Sequence, residues 1–178
     1  MTAYVLAAAV LAPRDVRPPP GVDPGAYARA MLADAFEVLD DLANVTASVT
    51  GEPTPYAALQ AMARTGATIG VVTSGDAPDL PGLLVGKLYG ACEDKTAGVL
   101  PASDGTLTAL ASRLPPPPWL EHITLDSTLD DVHAAAPANA VVVGPGWHRL
   151  RNPEDVSRLD PRQEGWDATR VLLSPRSP

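Results

Sequence analysis

Two stretches restrict the fold of this chain more than any others. Tyr4 to Leu11 (YVLAAAVL) and Ala67 to Thr73 (ATIGVVT) carry no charge and show no alternation of apolar and polar residues. A strand of that kind must be covered on both faces, so it belongs inside a sheet with helices above and below. The intervening sequence supplies the helices. Asp23 is placed to cap a helix whose first position is Pro24, and a broad apolar face (Tyr27, Met31, Ala35, Val38, Leu39, Leu42) runs to about Ala43. Thr54-Pro55 repeats that start signal for a helix ending near Gly66. Pro81 to Glu93 predicts a third helix with Leu83, Leu84, Leu88 and Cys92 turned inward, and Ser127 to Asp130 resembles a capping box for a fourth, ending near Ala136. Short strands are expected at 44–49, 97–100, 106–110 and 140–143. A short helix is expected from Pro153 to about Leu159. Alternating strands and helices predict a three-layer α/β/α sandwich with a mostly parallel, mixed sheet. Residues 1–160 form one domain in this reading, and 161–178 form a C-terminal tail without clear periodicity.

The chain has 178 residues, enough for one well-filled α/β core. Aromatic residues make up only 4%, so that core must be built largely from Ala, Val and Leu. The Ala-, Pro- and Gly-rich composition, with Lys87 and Lys95 as the lysines, is the kind a GC-rich bacterial genome encodes. The net charge of −8 disfavours nucleic-acid backbones and anionic membranes as partners. Cys92 is the one cysteine, so neither an internal disulfide nor a cysteine-based zinc site can form, which fits a cytoplasmic setting. The apolar start, Met1 to Ala12, lacks a basic leader and is too short to span a bilayer; it reads as a buried first strand.

In open parallel sheets ligands bind beyond the carboxyl ends of the strands. Arg14, Asp76 and the GPG turn at Gly144 to Gly146 are expected there. Three segments in this order, VVTSGDAPDLP (Val71 to Pro81), GVLPASDGTLTALA (Gly98 to Ala111) and GPGWHRLRNPEDVSRL (Gly144 to Leu159), resemble motifs of the nucleotide-diphospho-sugar transferase superfamily of GT-A fold. The likeness is to its small bacterial glycosyltransferase-A-like branch, related to the phospholactate and molybdenum-cofactor guanylyltransferases. It spans about residues 1–160. It implies a Rossmann-like GT-A fold and a nucleotide or nucleotide-sugar partner. It also implies a divalent cation, Mg²⁺ or Mn²⁺, held by Asp76, phosphate contacts from Arg14 and Arg17, and an acceptor-side catalytic role for Asp104. His148 and Arg149 would complete the cleft.

The sequence departs from that pattern in its first loop and last motif. APRDVRPPPG offers two arginines, no lysine and few backbone N–H donors. Where the superfamily places a second metal carboxylate, this chain has Trp147 to Asn152, with Arg149 among them; a guanidinium beside a cation site repels the cation. Thr106 follows Asp104-Gly105 where a second glycine is usual. Simpler roles stand beside these: Asp76 as a turn or helix cap, Asp104 as a turn residue, Arg14 and Arg17 as solvated charges, Cys92 as core. His122 and His133 stand isolated. Two functional classes follow. One is a metal-dependent glycosyl- or nucleotidyltransferase. The other is a catalytically degenerate homologue serving as a nucleotide-binding or protein-interaction subunit; either is compatible with a homo-oligomer.

Overall fold

The computed structural model describes residues 4–174; the ends of the expected first strand and tail, 1–3 and 175–178, lie outside the described residues. Six strands, β1 (Leu6–Leu11), β2 (Val45–Thr50), β3 (Ile69–Ser74), β4 (Ala97–Pro101), β5 (Leu107–Arg113) and β6 (Val141–Val143), form one sheet in the order β2-β1-β3-β5-β4-β6. β5 runs antiparallel to both its neighbours, and the other pairings are parallel, so the sheet is mixed and mostly parallel as its sequence implies. Among the described residues there are also five helices, α1 (Pro24–Asp40), α2 (Pro55–Arg64), α3 (Gly82–Asp94), α4 (Leu129–Ala135) and α5 (Asp167–Leu173), together with 3₁₀ turns at Pro118–Leu120 and Pro153–Arg158.

The sheet divides two cores. Along β1, Ala8 and Val10 face α1 and α3, where they meet Leu39, Leu84, Leu88 and Cys92; Ala7 and Ala9 face the opposite layer, with Leu59 and Met62 of α2 and Val132 of α4. This is the strand's two-residue period expressed with alanines. Small side chains let the helices come close. At Gly70 of β3 a Cβ would lie 2.8 Å from both Leu59 and Met62, so α2 rests directly on the backbone there. All of β3 is buried, as a strand paired on both edges and covered on both faces must be. The proline-broken segment after β5 leads into Leu120, Ile123 and Leu125, which fill the second core.

The predicted helix starts hold. Asp23 accepts from the Ala26 N–H at 2.7 Å and Thr54 from the Ala57 N–H at 3.2 Å. The fourth cap sits one residue later than expected: Thr128 and Asp131 make the reciprocal capping box, not Ser127 and Asp130. Leu83, expected inside, is 71% exposed. The buried stripe of α3 runs through Leu84, Val85, Leu88, Tyr89 and Cys92, and Leu83 falls just off its edge. The stretch read as an aperiodic tail contains α5. Asp34, buried on α1, accepts from the N–H groups of Ala168 (2.9 Å) and Thr169 (2.7 Å), so the cap of α5 comes from a helix more than a hundred residues earlier. Tyr27, Met31, Leu150, Leu159 and Trp166 form a third apolar cluster beneath it. No helix among the described residues is long and apolar enough to cross a membrane.

Candidate functional site

The carboxyl ends of β1, β2 and β3 open onto a cleft of about 270 Å³. β1 is flanked by β2 on one side and β3 on the other, which makes this the point where the direction of strand succession reverses. Leu11, Ala12 and Arg14 from the end of β1, Thr50 to Pro55 from the end of β2, and Ser74, Thr124, Leu125, Asp126, Arg149 and Arg151 line it. Close backbone approach shapes the floor. The Gly75 N–H donates to the Leu11 carbonyl at 2.8 Å, and a Cβ at Gly75 would sit 2.6 Å from that oxygen.

Asp76 lies directly after β3 and is completely buried. Its carboxylate is held by a guanidinium. Arg149 Nε donates to Oδ1 at 2.8 Å and Nη2 to Oδ2 at 2.9 Å, a two-pronged charge-assisted fork, while the Ser74 hydroxyl donates to Oδ1 at 2.6 Å. The third nitrogen, Nη1, faces the Leu125 carbonyl (2.9 Å), the Thr106 hydroxyl (3.0 Å), Asp126 Oδ1 (3.1 Å) and the Leu107 carbonyl (3.4 Å). Burial would weaken the charge on Arg149, but its contacts with Asp76 and Asp126 outweigh that and raise its pKa.

Arg149 reaches Asp76 because the last motif docks on the turn that carries the carboxylate. The Trp147 N–H donates to the Pro101 carbonyl (2.9 Å), extending the sheet edge, and the Leu150 N–H donates to the Asp76 carbonyl (2.7 Å). Next to it, Arg151 pairs with Asp126 and lies 3.6 Å from Asp76 Oδ2 and 3.8 Å from Asp104 Oδ2.

The expected site residues separate into distinct places. Arg14 lines the cleft, exposed, with Nη2 donating to the Pro53 carbonyl at 3.2 Å. Arg17 is outside the lining; its backbone N–H donates to the Arg151 carbonyl at 2.8 Å and ties the first loop to the last motif. His148 also lies outside the lining and turns away to Asp79, with Nε2 3.0 Å from Oδ2, while Trp147 Nε1 donates to Asp79 Oδ1 at 3.2 Å. Asp104 caps its own turn: Oδ1 accepts from the Thr106 N–H (3.0 Å) and hydroxyl (2.6 Å), with the positive φ falling on Gly105, so the missing second glycine is not needed. Burial would raise the pKa of Asp104, but the Thr106 hydrogen bonds and then Arg149 and Arg151 hold it below the usual carboxylate range. Asp126 is depressed in the same way, burial being outweighed by Arg151 and Arg149. The sequence gives Asp126 no motif; it sits in an unremarkable loop before α4, and only the fold brings it to the arginines.

The superfamily likeness implies a divalent cation at Asp76, and the residues present do not fit one. Both oxygens of Asp76 are committed to Arg149 and Ser74. No group of three or more His, Cys, Asp or Glu side chains suited to a metal occurs among the described residues. The guanidinium of Arg149, from the last motif, already holds the carboxylate to which the likeness assigns that cation.

No protein-family model matches the chain, and no curated protein matches it. Solved structures do match. A protein of Desulfovibrio desulfuricans G20, provisionally named a nucleotide-diphospho-sugar transferase, superposes with a TM-score of 0.58 at 14% identity, covering 93% of this chain and 94% of that one. A 4-diphosphocytidyl-2C-methyl-D-erythritol synthase from Anaerococcus prevotii DSM 20548 gives a TM-score of 0.50 at 12% identity, covering 96% and 99% of the two chains. At such identities the likeness establishes architecture. The chain has the α/β/α architecture of these structures, the layering its strand and helix order predicts.

Proposed function

We propose that this chain binds a nucleotide or nucleotide sugar in the cleft at the ends of β1, β2 and β3, and that it works as a nucleotide-binding protein built on a transferase fold. The observation that carries this reading is the convergence of Arg14, Arg149 and Arg151 on a concave site at the reversal point of the sheet. Arg14 is exposed and supplies the accessible guanidinium for a phosphate. Thr50 and Thr54 line the same cleft. No divalent cation enters this reading, since Asp76 already has its counter-charge.

Group transfer with Asp104 as the base is a second reading. The partial exposure of Asp104 favours it. Against it, a carboxylate held below its ordinary pKa is a weak proton acceptor at neutral pH, and Asp104 is absent from the cleft lining. Binding without transfer therefore fits the geometry better.

The test is a thermal melt in EDTA with UDP, GDP, CDP, ADP and their glucose conjugates. A ligand that binds only the folded chain raises Tm by mass action. The expected result is a rise with one nucleotide class that Arg14→Ala removes without lowering the melting temperature of the free protein. A flat response to every compound refutes the proposal.

A further inference from the structure

The acceptors around the Arg149 guanidinium are all oxygens: both carboxylate oxygens of Asp76, Oδ1 of Asp126, the Thr106 hydroxyl, and the carbonyls of Leu107 and Leu125. Two of these residues are anionic, one of them fully buried. Hard oxygens converging from two carboxylates, a hydroxyl and backbone carbonyls are the donor chemistry that Mg²⁺ and Mn²⁺ take. Here a side chain takes it instead. We propose that Arg149 is a resident cation: its guanidinium fills the charge position between Asp76 and Asp126 and, with Arg151 beside it on the same two carboxylates, closes the chain to divalent metal, so that removing both arginines frees the same oxygens for one.

The physical argument has two parts. First, Asp76 has no access to water, so its charge must be balanced within a few ångströms. Arg149 does this at 2.8 and 2.9 Å, and the next cation, Arg151 Nε, stands off at 3.6 Å. Second, a metal cannot share the position. The guanidinium occupies the space between the carboxylates, and its charge, raised in persistence by those same carboxylates, repels a second cation at contact distance. Once both guanidiniums are gone, the buried carboxylate lacks its cationic partners and a hard cation can supply the charge. The inference holds whether or not a nucleotide enters the cleft, so its test uses no nucleotide.

Wild type, Arg149→Lys and the double variant Arg149→Ala/Arg151→Ala are stripped with EDTA, dialysed and titrated with Mn²⁺, followed by thermal melting and by loss of the free-ion electron paramagnetic resonance signal. Wild type and Arg149→Lys are expected to leave the Mn²⁺ free and Tm unchanged by it. The double variant is expected to melt lower, to bind about one Mn²⁺ and to recover part of the lost Tm; adding Asp76→Asn to it should abolish both effects. If the double variant does not fold without metal, millimolar Mn²⁺ is expected to restore a cooperative melt. Stoichiometric Mn²⁺ binding by wild type overturns the proposal. So does a double variant, folded or not, that fails to respond to Mn²⁺.

Discussion

Replacing Arg149 with methionine tests the buried fork most directly. Methionine keeps much of the volume of the side chain but offers no donor, so Asp76 is left with the Ser74 hydroxyl at 2.6 Å and the more distant Arg151 Nε at 3.6 Å. An exposed ion pair broken in this way costs up to about 1 kcal/mol. Asp76 is 0% exposed and Arg149 7%, so the exposed figure does not apply. Stranding one partner of a buried pair costs about 3–5 kcal/mol, which for a chain of this size lowers Tm by roughly 6–20 °C. Asp76→Asn/Arg149→Met removes the stranded charge and should recover a large part of the loss, since well-packed neutral replacements of buried pairs are often tolerated. Urea unfolding of wild type, both single variants and the double variant closes a thermodynamic cycle, with the two residues coupled by roughly 2–3 kcal/mol. A loss below about 1 kcal/mol in Arg149→Met would mean that water or another cation satisfies Asp76, and the buried-pair argument would fail.

The remaining predictions concern the floor, the core and the acid limb. Gly75→Ala forces a Cβ to within 2.6 Å of the Leu11 carbonyl and 2.8 Å of Pro13 Cδ, so the turn must shift; urea denaturation should show a loss of roughly 1–3 kcal/mol, and wild-type stability would contradict the close approach. Burial pushes the Cys92 thiol up to about 12, against a smaller opposing pull from Arg113, so the native chain should not react with a thiol reagent at pH 8 until urea unfolds it. Asp104 and Asp126 have depressed folded-state pKa values, so their stabilisation is present above the unfolded carboxylate range and is lost as pH falls through the lower folded values. Tm should therefore be insensitive to these two groups near neutrality and fall below about pH 4, and Arg151→Ala, by bringing the folded values closer to the unfolded ones, should make that fall shallower.

The legible parts of this chain are those governed by neighbours in sequence. Asp23-Pro24 and Thr54-Pro55 mark helix starts because a cap reaches only three residues along the chain, and the structure has both bonds. The unalternating runs that became β1 and β3 mark a sheet covered on both faces, and the position of Asp76 after β3 follows from where such a strand must end. Where two local signals compete, the sequence is ambiguous: Ser127 and Thr128 each have an aspartate three residues on, and in the fold Thr128 takes the cap while the Ser127 hydroxyl accepts from the Thr124 N–H.

What the sequence by itself determined is therefore the layer architecture and the presence of a carboxylate at the edge where ligands gather. The identity of its partner was decided only by the tertiary structure. Arg149 is 73 residues from Asp76 in the chain, and Asp126 lies in a loop with no motif of its own. Nothing local makes a guanidinium meet a carboxylate at that separation. They meet because the last motif pairs with the end of β4 and donates to the Asp76 carbonyl, which carries the arginine into a space without water. In that space a charge cannot stand alone, so the fold, by choosing which cation arrives, fixes what the carboxylate can do.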